Sequence, residues 1–165
     1  MSHIRVELPI AAPTETVWPL LADFGAIDVF NPSVSKSRVI NGSPASGVGS
    51  ERQCDLSDGR NWIRERVVEW NEGRSYAVDI YEGTMPIEGI RTYLGVTPAD
   101  GGSRGFMDMT YTPKFGLAGR LLDALVLKTM MRRTMTGVLR GLRDMAETEE
   151  GGAKDTVQRS LSQAA

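Results

Sequence analysis

From Ile4 to Leu8 the chain alternates apolar and polar residues, a period of two that predicts a half-buried strand ended by Pro9. At Pro13 the period changes. Val17, Leu20, Leu21 and Phe24 recur at helical spacing, with Pro13 suited to the first helical position and Glu15 to the positive end of the helix dipole. Pro19 lies inside this helix without the amide its ladder bond needs, which predicts a kink or an early break near Trp18. Gly25 and the Asn31-Pro32 pair bracket a second, short helical turn around Ile27 to Phe30.

Six more strands follow, at Val34–Ile40, Glu51–Ser57, Asn61–Trp70, Ser75–Glu82, Ile87–Thr97 and Arg104–Tyr111. Their joints, Asn41-Gly42, Asp58-Gly59, Asn71-Glu72-Gly73 and Asp100-Gly101-Gly102, carry residues that tolerate positive φ, so the strands read as an antiparallel meander. A helix is predicted from about Leu117 to Glu147. Its apolar positions Ala124, Leu127, Met131, Met135, Val138, Leu142 and Met145 step by three or four and form one face. A curved sheet is the surface broad enough to cover that face, which gives an α+β fold of seven antiparallel strands around a long C-terminal helix, with two short helices after the first strand. Residues 1–148 form this domain, and 149–165, poor in apolar side chains, read as a poorly ordered tail.

Composition narrows the chemistry. Of 165 residues, 19 are Lys or Arg and 21 are Asp or Glu, a balance that argues against nucleic-acid binding. No stretch reaches the ~18 apolar residues needed to cross a bilayer, and Met1 to Ile10 lacks a signal-peptide core, so a cytoplasmic location is expected. The single cysteine, Cys54, excludes an intrachain disulfide, and the single histidine, His3, excludes a Ser/His/Asp triad or a histidine-rich metal site in the body of the fold. Gly47-Val48-Gly49 leads into a strand and has no third glycine, so it is not a dinucleotide fingerprint. Neither a metal nor a cofactor is expected.

The order of elements resembles the helix-grip fold of the START-like (SRPBCC) superfamily, and within it the polyketide cyclase/dehydrase and lipid-transport family. The resemblance rests on Ala12-Pro13 with Val17-Trp18, Phe30-Asn31-Pro32, Gly49-Ser50-Glu51-Arg52, Arg64-Glu65-Arg66-Val67, Arg74-Ser75-Tyr76, Met85-Pro86-Ile87 and Leu142-Arg143-Asp144-Met145, in that order between residue 4 and about residue 147. It implies a ligand cavity between sheet and helix. Relatives often carry Trp-His-Pro where this chain has Phe30-Asn31-Pro32, so any role of that histidine is absent here. The resemblance also implies a pocket carboxylate at Glu65, and it likens Lys36 to a pocket lysine of the plant-hormone receptor branch.

Strand parity gives an independent test. Ile90, Thr92, Leu94 and Val96 share one face and are expected to look toward the helix. Arg52, Cys54 and Leu56 share another, and Ile63, Glu65 and Val67 are preferred inward because the opposite set would bring Arg64 and Arg66 into the cavity without partners. Asp108, in a Met-rich strand of uncertain register, is a further candidate, and Leu127, Met131, Met135 and Val138 would supply the helical wall. The expected function is binding of a small hydrophobic ligand, lipid-like, polyketide-like or aromatic. One alternative is a cyclase, dehydratase or isomerase with Glu65 as base and Arg52 or Lys36 stabilising an enolate. Another is an interaction module acting through the basic residues Lys114, Arg120, Lys128, Arg132, Arg133, Arg140 and Arg143. Stable membrane insertion is not expected of that helix, because Arg133, Arg140 and Arg143 lie opposite its apolar face. Bland readings stand beside these: Arg52 and Glu65 as a structural ion pair, Lys36 as an edge charge, Asp108 on a solvated face, Cys54 as a small buried hydrophobe and the methionines as plain core. Monomer and homodimer both remain open.

Overall fold

The computed structural model describes residues 1–84, 87–113 and 126–163, with nothing stated of the side chains of Ile87, Pro113 and 154–163. Strand β1 (Ser2–Ile10) leads into helix α1 (Thr14–Ala22) and a 3-10 helix (Phe24–Val29). The meander follows as β2 (Val34–Val39), β3 (Glu51–Leu56), β4 (Trp62–Asn71), β5 (Ser75–Gly83), β6 (Ile87–Ala99) and β7 (Gly102–Pro113), and the chain closes with helix α2 (Lys128–Gln163). All pairings are antiparallel, in the order β1-β7-β6-β5-β4-β3-β2. The α+β helix-grip architecture expected from the sequence is the one observed.

Turn chemistry behaves as the sequence suggests at three joints, where Gly59, Gly73 and Gly101 take φ of 72°, 75° and 77°. The Asn41-Gly42 pair also lies at positive φ, but it opens a longer connection before Glu51. Two local expectations fail. Pro9 does not end β1, which runs on to Ile10, because β1 is an edge strand and an edge tolerates a missing donor. Nor does Pro19 break α1. It sits on the exposed face of the helix, and a carbonyl left unbonded by the missing amide can turn to solvent there.

Helix α2 packs on β1, β7 and α1, and buries Met131, Met135, Val138, Leu139, Leu142 and Ala146. Gly141 allows the closest approach: a Cβ there would overlap the carbonyl oxygen of Phe30. The predicted start at Leu117, and with it Ala124, Lys114 and Arg120, lies outside the described residues, as do Met85 and Pro86. At the other end, residues 149–163, expected as part of a poorly ordered tail, continue α2. Gly151 and Gly152 each cost about 1 kcal/mol of helix propensity, and the Ala, Lys, Gln, Arg and Leu residues beyond them are good helix formers. The helix is also tied back to the domain, since Glu147 accepts from the Ala11 amide at 2.8 Å and Glu150 from the Thr16 hydroxyl at 2.9 Å.

Candidate functional site

Because α2 rests on the β1 and β7 side of the sheet, its face stands away from the middle strands. Between them lies a cavity of about 500 Å³. Its walls come from six strands: Val34 of β2, Arg52 and Leu56 of β3, Ile63 and Glu65 of β4, Ile80 of β5, Ile90, Thr92 and Leu94 of β6, and Met107 and Met109 of β7. The helix contributes Met130, Met131, Thr134, Met135 and Val138. Asn31, Ser33, Ser57, Asp58 and Asn61 add polar groups to the lining from the segment after the 3-10 helix and from the β3–β4 connection. The Asp58 carboxylate is already engaged there by the amides of Arg60 and Asn61 and by the Asn61 side chain.

The floor carries a charge pair. Arg52 and Glu65 sit opposite each other on β3 and β4, and the Arg52 Nε donates to Glu65 Oε2 at 2.6 Å. Arg52 Nη1 donates to the Phe24 carbonyl at 2.7 Å, and its guanidinium lies 4.1 Å over the Phe24 ring. The two partners differ in what they show to the cavity: the Arg52 side chain is 1% exposed and that of Glu65 9%. Burial works against the arginine cation, yet the Glu65 carboxylate holds its pKa above the ordinary value. Burial and then Glu65 push the neighbouring Cys54 thiol up to about 12, so the thiol stays protonated and unreactive at neutral pH. Tyr76, fully buried beside this pair, is raised chiefly by burial, with Arg52 opposing.

Thr92 supplies a different kind of group. It is 3% exposed, it borders the cavity, and its Oγ1 has no hydrogen-bond partner among the described residues. A buried hydroxyl left in this state costs roughly 1–3 kcal/mol, which a bound polar group could recover.

Of the residues singled out in the sequence, the structure brings together around this cavity Arg52, Glu65, Leu56, Ile63, Ile90, Thr92, Leu94, Met131, Met135 and Val138. Cys54, Val67 and Leu127 belong instead to the surrounding core. Lys36 is a correction. The parity Val34/Lys36/Arg38 is broken by an irregularity between Val34 and Lys36, so that Val34 faces inward, while Lys36 pairs with Asp55 on the outer face and is exposed. Asp108 is another. It lies on the outer face of β7, bonded to His3 at 2.7 Å and Arg5 at 3.4 Å, with Met107 and Met109 pointing inward on either side. The Met107/Met109/Tyr111 alternation carried that register in the sequence. Ile80 was equally accessible from the parity Tyr76/Val78/Ile80, whereas the loop residues Asn31, Ser33 and Asn61 follow no period and could be found only from the fold.

The structure is similar to that of a protein from Thermus thermophilus, at 20% identity and a TM-score of 0.73 over 90% of this chain and 99% of that one. It is similar to a START superfamily protein from Mycobacterium smegmatis, at 15% identity and a TM-score of 0.71 over 88% and 97%. A norcoclaurine synthase from Thalictrum, solved with a transition-state analogue, matches at 14% identity and a TM-score of 0.67 over 90% and 96%. At such identities the likeness is one of fold. Among curated proteins none matches this chain significantly. The family model described as polyketide cyclase / dehydrase and lipid transport matches residues 1–147, and the chain belongs to that family.

Proposed function

We propose that this protein binds a small hydrophobic molecule in the cavity between sheet and α2. The observation that carries the reading is the cavity itself, about 500 Å³ walled by aliphatic and methionine side chains from eight elements. That is roughly the space of 17 bulk water molecules at ~30 Å³ each, and within the ~300–1,000 Å³ span of ligand sites. Well-packed interiors leave few voids larger than one water, so a space of this size is a functional feature rather than a packing defect. Membership of a family whose name includes lipid transport points the same way.

A cyclase or dehydratase built on Glu65 receives less support. Such chemistry needs a cation aimed at the developing enolate. Lys36 is on the outer face, and Arg52 directs Nε and Nη1 to Glu65 and Phe24 and its flat face to the Phe24 ring. The basic helix is also a weak candidate for a docking device. Arg132, Arg133 and Arg140 are exposed, and no helix among the described residues is long and apolar enough to cross a membrane.

The test is binding of the uncharged fluorophore N-phenyl-1-naphthylamine, whose emission rises in apolar surroundings. We expect saturable enhancement with wild type and at least a tenfold weaker response with Thr134→Trp, which places an indole in the cavity from a partly exposed helix position. An unchanged response in a folded Thr134→Trp variant, or none with wild type, overturns the reading.

A further inference from the structure

Resting on the cavity reading, a narrower conclusion concerns the ligand's polar end. Among the described residues, three charged side chains border the cavity: Asp58, Glu65 and Arg52. Asp58 is an exposed acid with its acceptors engaged. On the floor, Arg52 is nearly closed off and bonded away from the cavity, whereas Glu65 is the more exposed partner. Arg52 Nε and, more distantly, the Cys54 thiol both donate to Oε2 of Glu65, and Oε1 lies outside these bonds. A ligand therefore meets a carboxylate oxygen that accepts and cannot donate. Two strands away, the unpartnered Thr92 hydroxyl can donate or accept.

These groups discriminate by charge and by hydrogen-bond sense. A hydroxyl or ammonium head satisfies Glu65 Oε1, a ketone or ester cannot, and a carboxylate or phosphate adds repulsion in a site shielded from water. The rest of the wall has little power to select. Met107, Met109, Met130, Met131 and Met135 are unbranched and polarizable, and they repack around tails of varied shape. We propose that the cavity selects amphiphiles whose head is a neutral or cationic hydrogen-bond donor, the long-chain alcohols, phenols and amines, and rejects carboxylates and phosphates on the same tail.

The experiment is displacement of N-phenyl-1-naphthylamine from wild-type protein at pH 7.5 and 0.15 M salt, where charges beyond ~8 Å are screened. Dodecylammonium and dodecanoate are two ions of similar length and opposite sign, so the cost of leaving water does not by itself favour one. Dodecan-1-ol and dodecan-2-one are both uncharged and differ in whether the head can donate. We expect dodecylammonium to bind at least tenfold more tightly than dodecanoate, and dodecanol at least threefold more tightly than the ketone. Thr92→Val, which keeps the shape and removes the orphan hydroxyl, should weaken dodecanol threefold to tenfold without loss of thermal stability. Dodecanoate binding as tightly as dodecylammonium, or the ketone as tightly as the alcohol, overturns the selection and leaves the cavity reading standing. Failure of the fluorophore to bind overturns both.

Discussion

Removing the Glu65 carboxylate, as in Glu65→Ala, strands the Arg52 cation at a site where its side chain is 1% exposed. The guanidinium keeps its bond to the Phe24 carbonyl and its contact with the Phe24 ring, but it loses the one ionic partner given by its 2.6 Å bond. Breaking a buried pair from one side costs about 3–5 kcal/mol. A chain of this size is stable by about 5–15 kcal/mol, so the loss takes a large share of the total. With a urea m value of ~2 kcal/mol/M, the midpoint should fall by about 1.5–2.5 M. The assay is urea unfolding followed by tryptophan fluorescence, since Trp18 and Trp70 sit 5.3 Å apart in the packed aromatic cluster. Glu82→Ala is the internal control: its partner Arg64 is 2.7 Å away, but the side chains are 37% and 50% exposed, and its loss should cost under ~1 kcal/mol. The double variant Arg52→Met/Glu65→Leu replaces both charges with apolar groups of similar length and should recover to within ~2 kcal/mol of wild type. If Glu65→Ala costs no more than Glu82→Ala, the pair is not desolvated as its geometry requires. If the double variant is as unstable as the single one, lost packing and not the stranded charge is responsible.

Much of this floor was legible in the amino-acid sequence, and the reason is periodicity. Arg64 and Arg66 would enter an apolar cavity only at a cost, which favoured Glu65 inward, and its pairing with Arg52 across the sheet, one of the readings open in the sequence, is the register of β3 and β4. The same logic misplaced Lys36. A single irregularity next to Val34 inverts the side-chain alternation of everything after it, and β-bulges leave almost no trace in hydropathy. A second irregularity, between Val67 and Glu69, turns Trp70 inward to stack on Tyr76 at 5.6 Å, an aromatic cluster that strict alternation could not foresee. Asp108 was misplaced for another reason: the alternation around it was intact, but its charge drew it into the candidate set against the inward parity of Met107 and Met109. The extent of α2 past Glu149 escaped because the segment is poor in apolar residues and carries Gly151 and Gly152, whereas a helix already nucleated can propagate through a polar stretch. The orphan Thr92 hydroxyl is a property of three-dimensional placement alone, since a threonine on a β-strand has no sequence mark of whether its oxygen finds a partner.

Two further outcomes test the scaffold around the cavity. Glu72 accepts the indole NH groups of Trp70 and Trp18, each at 2.7 Å, and these bonds, Trp70 first, lower its pKa below the usual 4.5. A lowered folded-state pKa adds stability that is present above about pH 4.5 and is lost as pH falls through the folded value. The advantage of wild type over Glu72→Gln in urea should therefore shrink between pH 6 and pH 3, and a constant or widening gap would contradict the assigned bonds. The second outcome compares two glycines one turn apart on α2. At Gly137 a new Cβ meets only Pro32 Cγ at 3.6 Å, an ordinary contact, so Gly137→Ala should gain up to ~1 kcal/mol of helix propensity. At Gly141 the same methyl overlaps the Phe30 carbonyl oxygen, which is backbone and cannot rotate away. The helix must then lift from the Phe30–Asn31 segment, and overpacking of this kind costs about 1–3 kcal/mol, more than the propensity returns. Thermal unfolding should rank Gly137→Ala at or above wild type and Gly141→Ala below it. Because Asn31 and Pro32 line the cavity, Gly141→Ala should also weaken N-phenyl-1-naphthylamine binding while Gly137→Ala leaves it unchanged. Equal melting temperatures for the two variants would show that α2 does not rest on Phe30 as the fold requires.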